Sequence, residues 1–480
     1  MSILVIDVGT SGLRAAVIRD DASIAAELHR ELLPDSPAPG LVEFDAGAMA
    51  VAALEVARAV LADAGPVKAV GITNQRASTI VWDRATGDPV GPGIGWQDLR
   101  TAGTCLGLQA EGIRVAPNAS ATKVGWLLDN ADPDRTRDLC VGTVDSWLAW
   151  HLSEGAVHAT DATNAAVTGM MNGDATDWED KVLESLRIPR SMLPTVVDST
   201  GVLAAASALD GAPPIASLVG DQQASLIGQG GVRPGLAKIT FGTGGMLDLH
   251  LGEGRPRFDR QGKGGCFPIV TWRQGGVTMW GVEAVMLSAG TNVEWLRDDL
   301  GIIATAAESH DVASRCDSSD GVVYVPALLG LGTPRWDYGA RGTMLGITRG
   351  TERPQIVRAV LEGVAQRGAD LVEAAEQDSG IAIPTLRVDG GMTDNPTFVQ
   401  ALANAAQRPV EVSPVTEATT LGAAFLAGLA VGTWAGWDDI AATWSPKQIV
   451  EPGAPMDRDR WWAACDRAAG WIPELSGLEF

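Results

Sequence analysis

Two stretches of the chain combine glycine, threonine and an acid in a way suited to holding a phosphate chain. Residues 3–18 read ILVIDVGTSGLRAAVI, two apolar runs around Gly9-Thr10-Ser11-Gly12. Residues 236–251 read LAKITFGTGGMLDLHL, two apolar runs around Gly242-Thr243-Gly244-Gly245. Each predicts a β-hairpin with a tight glycine turn. Laid over each other, Gly9-Thr10 falls on Gly242-Thr243 and Asp7 on Thr240. Glycines let backbone N–H groups approach an anion closely, and the threonine adds a hydroxyl donor. One such hairpin is compatible with an ordinary turn. Two copies at half-chain spacing predict a two-lobed protein gripping a phosphate chain from both sides.

Three further residues are placed where chemistry could occur. Asp221, in VGDQQASLIGQG, follows an apolar strand and opens a helix. A carboxylate there serves as a helix N-cap or, beside Gln222 and Gln223, as a general base facing a polyhydroxy substrate. Arg76 closes the run VKAVGITNQR at a strand end, where sites in α/β proteins gather. It reaches into a cleft or pairs with a carboxylate on the surface. Trp96, in GIGWQDLRT, is core or a flat apolar wall for a ligand.

The elements that must position these residues follow from periodicity and breakers. Strands are predicted at 24–32, 67–73 and 78–83, and helices at 46–64, 121–130 and 144–152. Residues 159–172 read as a polar loop region. A turn-rich hinge candidate, GVRPG at 231–235, divides a first lobe, 1–232, from a second, 233–480. In the second lobe, residues 282–301 read as a helix carrying Gly290 and Glu294. Residues 351–379 read as a long amphipathic helix, followed by the strand LRVDGG and a helix from Asn395. That strand, double glycine and helix start repeat a geometry that passes a nucleotide close to the backbone. Residues 418–437 hold no charge but are rich in Ala and Gly, which predicts a buried, closely packed helix in preference to a membrane span.

Composition narrows the partners. At 480 residues, with 46% hydrophobic and 20% charged residues, the chain predicts a globular protein of two or more domains. A net charge of −23 argues against nucleic acid and anionic membrane as partners. A polyanionic ligand must then be held by local N–H donors, a metal ion or a few arginines. The five cysteines are scattered and without CxxC spacing, which fits reduced thiols in a cytoplasm. The N-terminus meets Asp7 too early for a signal peptide.

The motifs DVGTSGLRA, GITNQR, STIVWD, WQDLRT, TVDSWL, GDQQASLIGQ, KITFGTGG, VPALLGLGTPRWD, RVDGGMTDN and EATTLGAAFLAGLAVG occur in one order along 3–434. In number, order and spacing they resemble the FGGY carbohydrate kinases, most of all the glycerol kinase branch. The resemblance implies an α/β fold of two actin-like (ribonuclease H-like) domains with ATP in the cleft between them. It implies Asp221 as the base that takes a proton from the attacking substrate hydroxyl, and Asp7 as a Mg²⁺ holder through water. Thr10, Ser11, Gly12 and Arg14 would contact the phosphates from lobe one and Thr243 from lobe two. Gly290, Glu294, Gly391 and Asn395 would line the adenosine site, with Glu294 replacing a glutamine usual in glycerol kinases. A small sugar or polyol would be bound by Arg76, Trp96, Asn118, Asp221 and Gln222, and a homodimer is the family-level expectation.

Two departures fall in the substrate pocket. Glycerol kinases follow Asn-Gln-Arg with a glutamate that binds a glycerol hydroxyl, and here that position is Ala77; they carry a tyrosine where this chain has Asn118. Losing a hydroxyl-binding carboxylate costs about 1.5–3 kcal/mol, and both changes make room. The expectation is therefore a kinase for a polyol or ketose of about four to six carbons. The alternatives are a genuine glycerol kinase and a non-catalytic sensor of sugar or ATP.

Overall fold

The computed structural model describes residues 2–415 and 417–477. Residues 1 and 478–480, the outer ends of the two expected lobes, lie outside the described residues.

Lobe one is built on a six-stranded sheet. Its strands are β1 (Ser2–Val8), β2 (Gly12–Arg19), β3 (Ile24–Glu31), β4 (Ala69–Asn74), β5 (Thr200–Ala205) and β6 (Pro214–Gly220), in the order β5-β6-β4-β1-β2-β3. The near-continuous apolar runs of β1 and β4 are those of central strands covered on both faces. β1 and β2 form the predicted hairpin, with Asp7 opposite Arg14 and Val8 opposite Leu13. β1, β4 and β6 run parallel, Asp7 opposite Thr73 and Gly220 opposite Asn74. Their carboxyl ends form one row, which brings Asp7, Arg76 and Asp221 to the same edge. The helix α1 (Ala46–Ala64), capped by Asp45 on the Ala48 N–H at 2.9 Å, covers one face with Met49, Ala53, Val56 and Val60.

Lobe two repeats the plan. Its sheet contains β7 (Ala237–Phe241), β8 (Gly245–Gly252), β9 (Phe267–Gln274), β10 (Val277–Met286), β11 (Leu386–Asp389), β12 (Val410–Val412) and β13 (Gln448–Val450), ordered β9-β10-β8-β7-β11-β12-β13. β7 and β8 form the second predicted hairpin, and β7 runs parallel to β11 as β1 does to β4. This duplicated α/β arrangement is the two-domain actin-like fold.

Two helices tie the lobes together. α2 (Asp221–Gly228) starts at the end of β6, and α5 (Ala418–Ala430) crosses back from the C-terminal half onto the lobe-one sheet. There Leu421, Ala424 and Phe425 join Ile3, Val5, Ala16 and Val219 in one apolar cluster. Gly228 and Gly422 let the helices touch. A Cβ on Gly228 would collide with the Ala418 carbonyl, and one on Gly422 with the Ala224 carbonyl. Residues 418–430 of the uncharged run are thus a packed inner helix that ends before the rest of the run, and among the described residues no helix is long and apolar enough to cross a membrane.

In the rest of lobe two, α3 (Arg353–Ser379) begins with a Glu352–Gln355 capping box and Pro354, and ends at Gly380 with φ 71°. α4 (Pro396–Ala406) is capped by Asn395.

The structure departs from expectation at two places. Residues 282–301 are not one helix. They begin as strand β10, with Val282, Ala284 and Met286 in register with Leu249, Leu247 and Gly245 of β8, and only 291–299 is helical. The apolar run carried a period-two face that its length disguised. The polar region 159–172 contains a short strand, Ala159–Asp161, and a helix, Ala162–Ala166, whose first turn is capped by Asp161.

Candidate active site

Asp221 is the first residue of α2. Its Oδ1 accepts the N–H of Gln222 at 2.7 Å, and the helix has no side-chain cap. The carboxylate is therefore not used as a cap and stays about a third exposed, 30%, at the strand-end row. Burial raises its proton affinity above that of an ordinary aspartate and Asp248 adds to the rise, while Arg76, the Gln222 N–H and Lys238 pull it back.

Arg76 follows β4 and is nearly buried. Its Nε lies 3.6 Å from Asp221 Oδ1, and Nη2 donates to Glu283 Oε2 at 2.6 Å. Glu283 belongs to β10 of the other lobe. Beside this pair, Lys238 of β7 stands 2.9 Å from Asp248 of β8, both fully buried, and its Nζ donates to Gln222 Oε1 at 2.8 Å. Gln222 is thereby held from lobe two. A buried ion pair is costly to desolvate, and this one lies across the two arms of the second hairpin and reaches the residue beside the candidate base through Gln222.

Asp7 ends β1 across from Asp221. Burial, then the facing Asp221, pushes its carboxyl up to about 7; Arg14 and the Thr420 hydroxyl, which donates to Asp7 Oδ2 at 3.3 Å, act in the opposite direction. Arg14 is ion-paired with Glu417 just before α5. Thr10 accepts a hydrogen bond from the Trp96 indole N–H at 3.1 Å, so Trp96 is tied to the turn of the first hairpin. Ser11 is exposed at the turn. Gly12 packs where a Cβ would meet His29 Nε2 at 2.7 Å.

The loop bearing Trp96 is held by two groups that sequence reasoning passed over. Ser78 Oγ accepts the Trp96 N–H at 3.1 Å. The buried Lys123 Nζ donates to the carbonyls of Trp96 at 3.0 Å and Asn118 at 3.1 Å. Asn118 itself is exposed.

On lobe two, the Thr243 carbonyl accepts from the Ala289 N–H and the Gly242 carbonyl from the Gly290 N–H, each at 2.8 Å. A Cβ on Gly290 would meet that Gly242 oxygen at 2.7 Å, so glycine is needed for the hairpin to seat. Glu294 is exposed. Gly391 is exposed too, with nothing within 4 Å of an added Cβ. Asn395 is engaged structurally: its Oδ1 accepts the Phe398 N–H at 3.1 Å and its Nδ2 donates to Ser309 at 2.9 Å.

Glu283, Lys238 and Asp248 also escaped the sequence reading. A signal existed for two of them, because Lys238 and Asp248 are charges at matching positions of one hairpin's apolar arms. Glu283 was hidden by the helix reading of its strand.

Comparison with known proteins shows the family. Residues 2–228 match the N-terminal domain, and residues 237–431 the C-terminal domain, of the FGGY family of carbohydrate kinases. Glycerol kinase 2 of Thermotoga maritima is 40% identical over 494 residues, covering 98% of this chain and 99% of that protein. The glycerol kinase of Deinococcus radiodurans is 41% identical, with 98% of each covered. The crystal structure of Plasmodium falciparum glycerol kinase with ADP superposes with a TM-score of 0.90 at 28% identity, over 100% of this chain and 99% of that one.

These relatives overturn the expectation of a four-to-six-carbon acceptor in place of glycerol. That expectation took Ala77 as freed space. In the structure Ala77 is buried with φ 62°, and its carbonyl accepts from the Ser120 and Thr79 hydroxyls, each at 3.0 Å. A short side chain at such a packed position does not widen the cleft. With both halves matched in order and every strand of the duplicated fold in place, the chain belongs to the FGGY family of carbohydrate kinases, ATP-dependent phosphotransferases with an alcohol group as acceptor.

Proposed function

We propose that this enzyme transfers the γ-phosphoryl group of ATP to glycerol. The observation that carries the reading is the near-full-length similarity, at about 40% identity, to proteins named glycerol kinases. The site geometry supports it. Asp221 accepts the proton of the attacking hydroxyl; its raised proton affinity makes it a better base than a free aspartate, and Arg76 favours its charged form against the effect of burial. Arg76 and Trp96 hold the acceptor on the lobe-one side, with Gln222 beside the base. The hairpin turns at Gly9–Gly12 and Gly242–Gly245 present N–H groups to the phosphates from opposite lobes, with Thr10, Arg14 and Thr243 adding donors. Gly290, Glu294 and Gly391 border the adenosine, and Asn395 shapes that border as the cap of α4. Phosphoryl transfer needs mainly positioning and charge neutralisation, which this set of donors provides.

Asp7 fits a Mg²⁺ ion. Two half-buried carboxylates, Asp7 and Asp221, face each other, and this, after burial, raises the proton affinity of Asp7, a repulsion that a divalent cation relieves. Mg²⁺ commonly takes one or two carboxylates and fills its shell with water and substrate phosphates. When bound it neutralises phosphate charge as the transfer proceeds. The lobes 1–232 and 233–480 are proposed to close on the substrates and exclude water.

The test is ³¹P NMR of the purified protein with Mg-ATP and glycerol. Formation of glycerol phosphate and ADP supports the reading, and ATP left intact while glycerol is in excess contradicts it.

A further inference from the structure

The guanidinium of Arg76 faces carboxylates from two lobes at once. Nε is 3.6 Å from Asp221 Oδ1, and Nη2 donates to Glu283 Oε2 at 2.6 Å. Nη1 is buried and makes no hydrogen bond among the described residues. A buried guanidinium N–H without a partner is costly, and in native structures such groups usually await a ligand or water. The Glu283 side chain is 11% exposed and that of Arg76 12%, so the pair is shielded from the solvent that weakens surface ion pairs.

From this geometry we infer that Glu283 is a positioning residue for the acceptor site: by holding Nη2 from lobe two, it aims the free Nη1 of Arg76 at the acceptor. Arg76 has four rotatable side-chain bonds, and Asp221 alone, at 3.6 Å, holds it loosely. A second carboxylate at 2.6 Å fixes the plane of the fork. Glu283 also takes up much of the guanidinium's charge, which keeps Arg76 from closing fully onto Asp221 and blocking the base. Because Arg76 and Glu283 come from different lobes, the grip on the acceptor is complete only where the lobes meet. Lys238 and Asp248 flank the pair and partner each other at 2.9 Å, so neither replaces Glu283. The inference rests on the proposed contact of Arg76 with the acceptor.

The experiment is a double-substitution cycle with E283Q, R76K and the double variant. It uses whichever polyol the wild-type protein turns over best, so that failure of glycerol defeats the glycerol reading and leaves the cycle readable. E283Q should raise the acceptor KM tenfold or more and change the ATP KM less than twofold. E283D should recover part of the loss. In the R76K background E283Q should add less than twofold, because the group it positions is already altered. The inference is overturned if E283Q leaves the acceptor KM within twofold of wild type, raises both KM values alike, or multiplies with R76K. If E283Q does not fold, E283D carries the same comparison: an acceptor-specific rise in KM supports the inference and an unchanged KM overturns it.

Discussion

Asp221 follows one strand and Asp7 lies near the end of a parallel strand of the same sheet, and their different partners suit them to the different roles proposed. Asp221 has Arg76 at 3.6 Å and an N–H at 2.7 Å, which oppose the rise in proton affinity that burial causes. Replacing it by Asn should lower kcat by roughly 10²–10⁴-fold, the range for a positioned general base, and leave ATP binding by calorimetry within about twofold of wild type. A variant with near-normal turnover would remove Asp221 from the role of base. For Asp7 the opposing pull of Arg14 is outweighed by burial and by Asp221, and its carboxyl is pushed up to about 7, against an ordinary 3.8. Its folded-state value is raised, so the stability it contributes is full below about 3.8 and lost as pH rises through about 7. In the proposed reading Mg²⁺ would take the place of the proton. Thermal melts should therefore show more stabilisation by Mg-ATP at pH 8 than at pH 6, and Asp7→Asn should abolish that difference. The placement of Asp221 at a strand end and helix start could be read from the sequence, and the role of Asp7 was an expectation from the family resemblance. Two of the groups that tune Asp221, Lys238 and Asp248, could not be read, since they lie on the other lobe.

At the scale of elements, the glycine hairpins, the capped helices α1 and α3 and the uncharged helix α5 were all legible, because each rests on local signals: turn glycines, a cap, a buried face. Strand β10 was not. Its pairing with β8 sets a period of two that the mixed residues around Gly281, Glu283 and Ala289 obscure, and the tertiary partner decided the outcome. The crossing of α2 and α5 was equally silent in sequence, since a glycine in a helix does not reveal which backbone approaches it. That crossing is sensitive. Gly422→Ala forces a methyl into the Ala224 carbonyl, and overpacking of this kind costs about 1–3 kcal/mol. Its melting temperature should fall by several degrees, and kcat should fall as well, because α2 carries Asp221 and α5 carries Thr420, the hydrogen-bond donor to Asp7. A variant with wild-type melting and turnover would show that the helices have slack.

For the whole molecule, a net charge of −23 surrounds a cleft that must admit ATP. Long-range repulsion is screened over about 8–10 Å at physiological salt, while contacts inside the closed cleft are screened much less. Raising ionic strength from a few millimolar to about 0.15 M should therefore increase kcat/KM for ATP at fixed free Mg²⁺. A decrease would mean that the local donors dominate the approach as well as the grip. The duplicated fold and the order of its motifs were readable throughout the chain. The acceptor was not: Ala77 reads as lost volume in sequence and is a packed left-handed residue in the fold. The most direct test of the account is the ratio of kcat/KM for glycerol to that for xylulose, xylitol and ribitol, measured by ADP release with saturating Mg-ATP. The account predicts glycerol as the preferred acceptor; preference for any of the five-carbon compounds would contradict it.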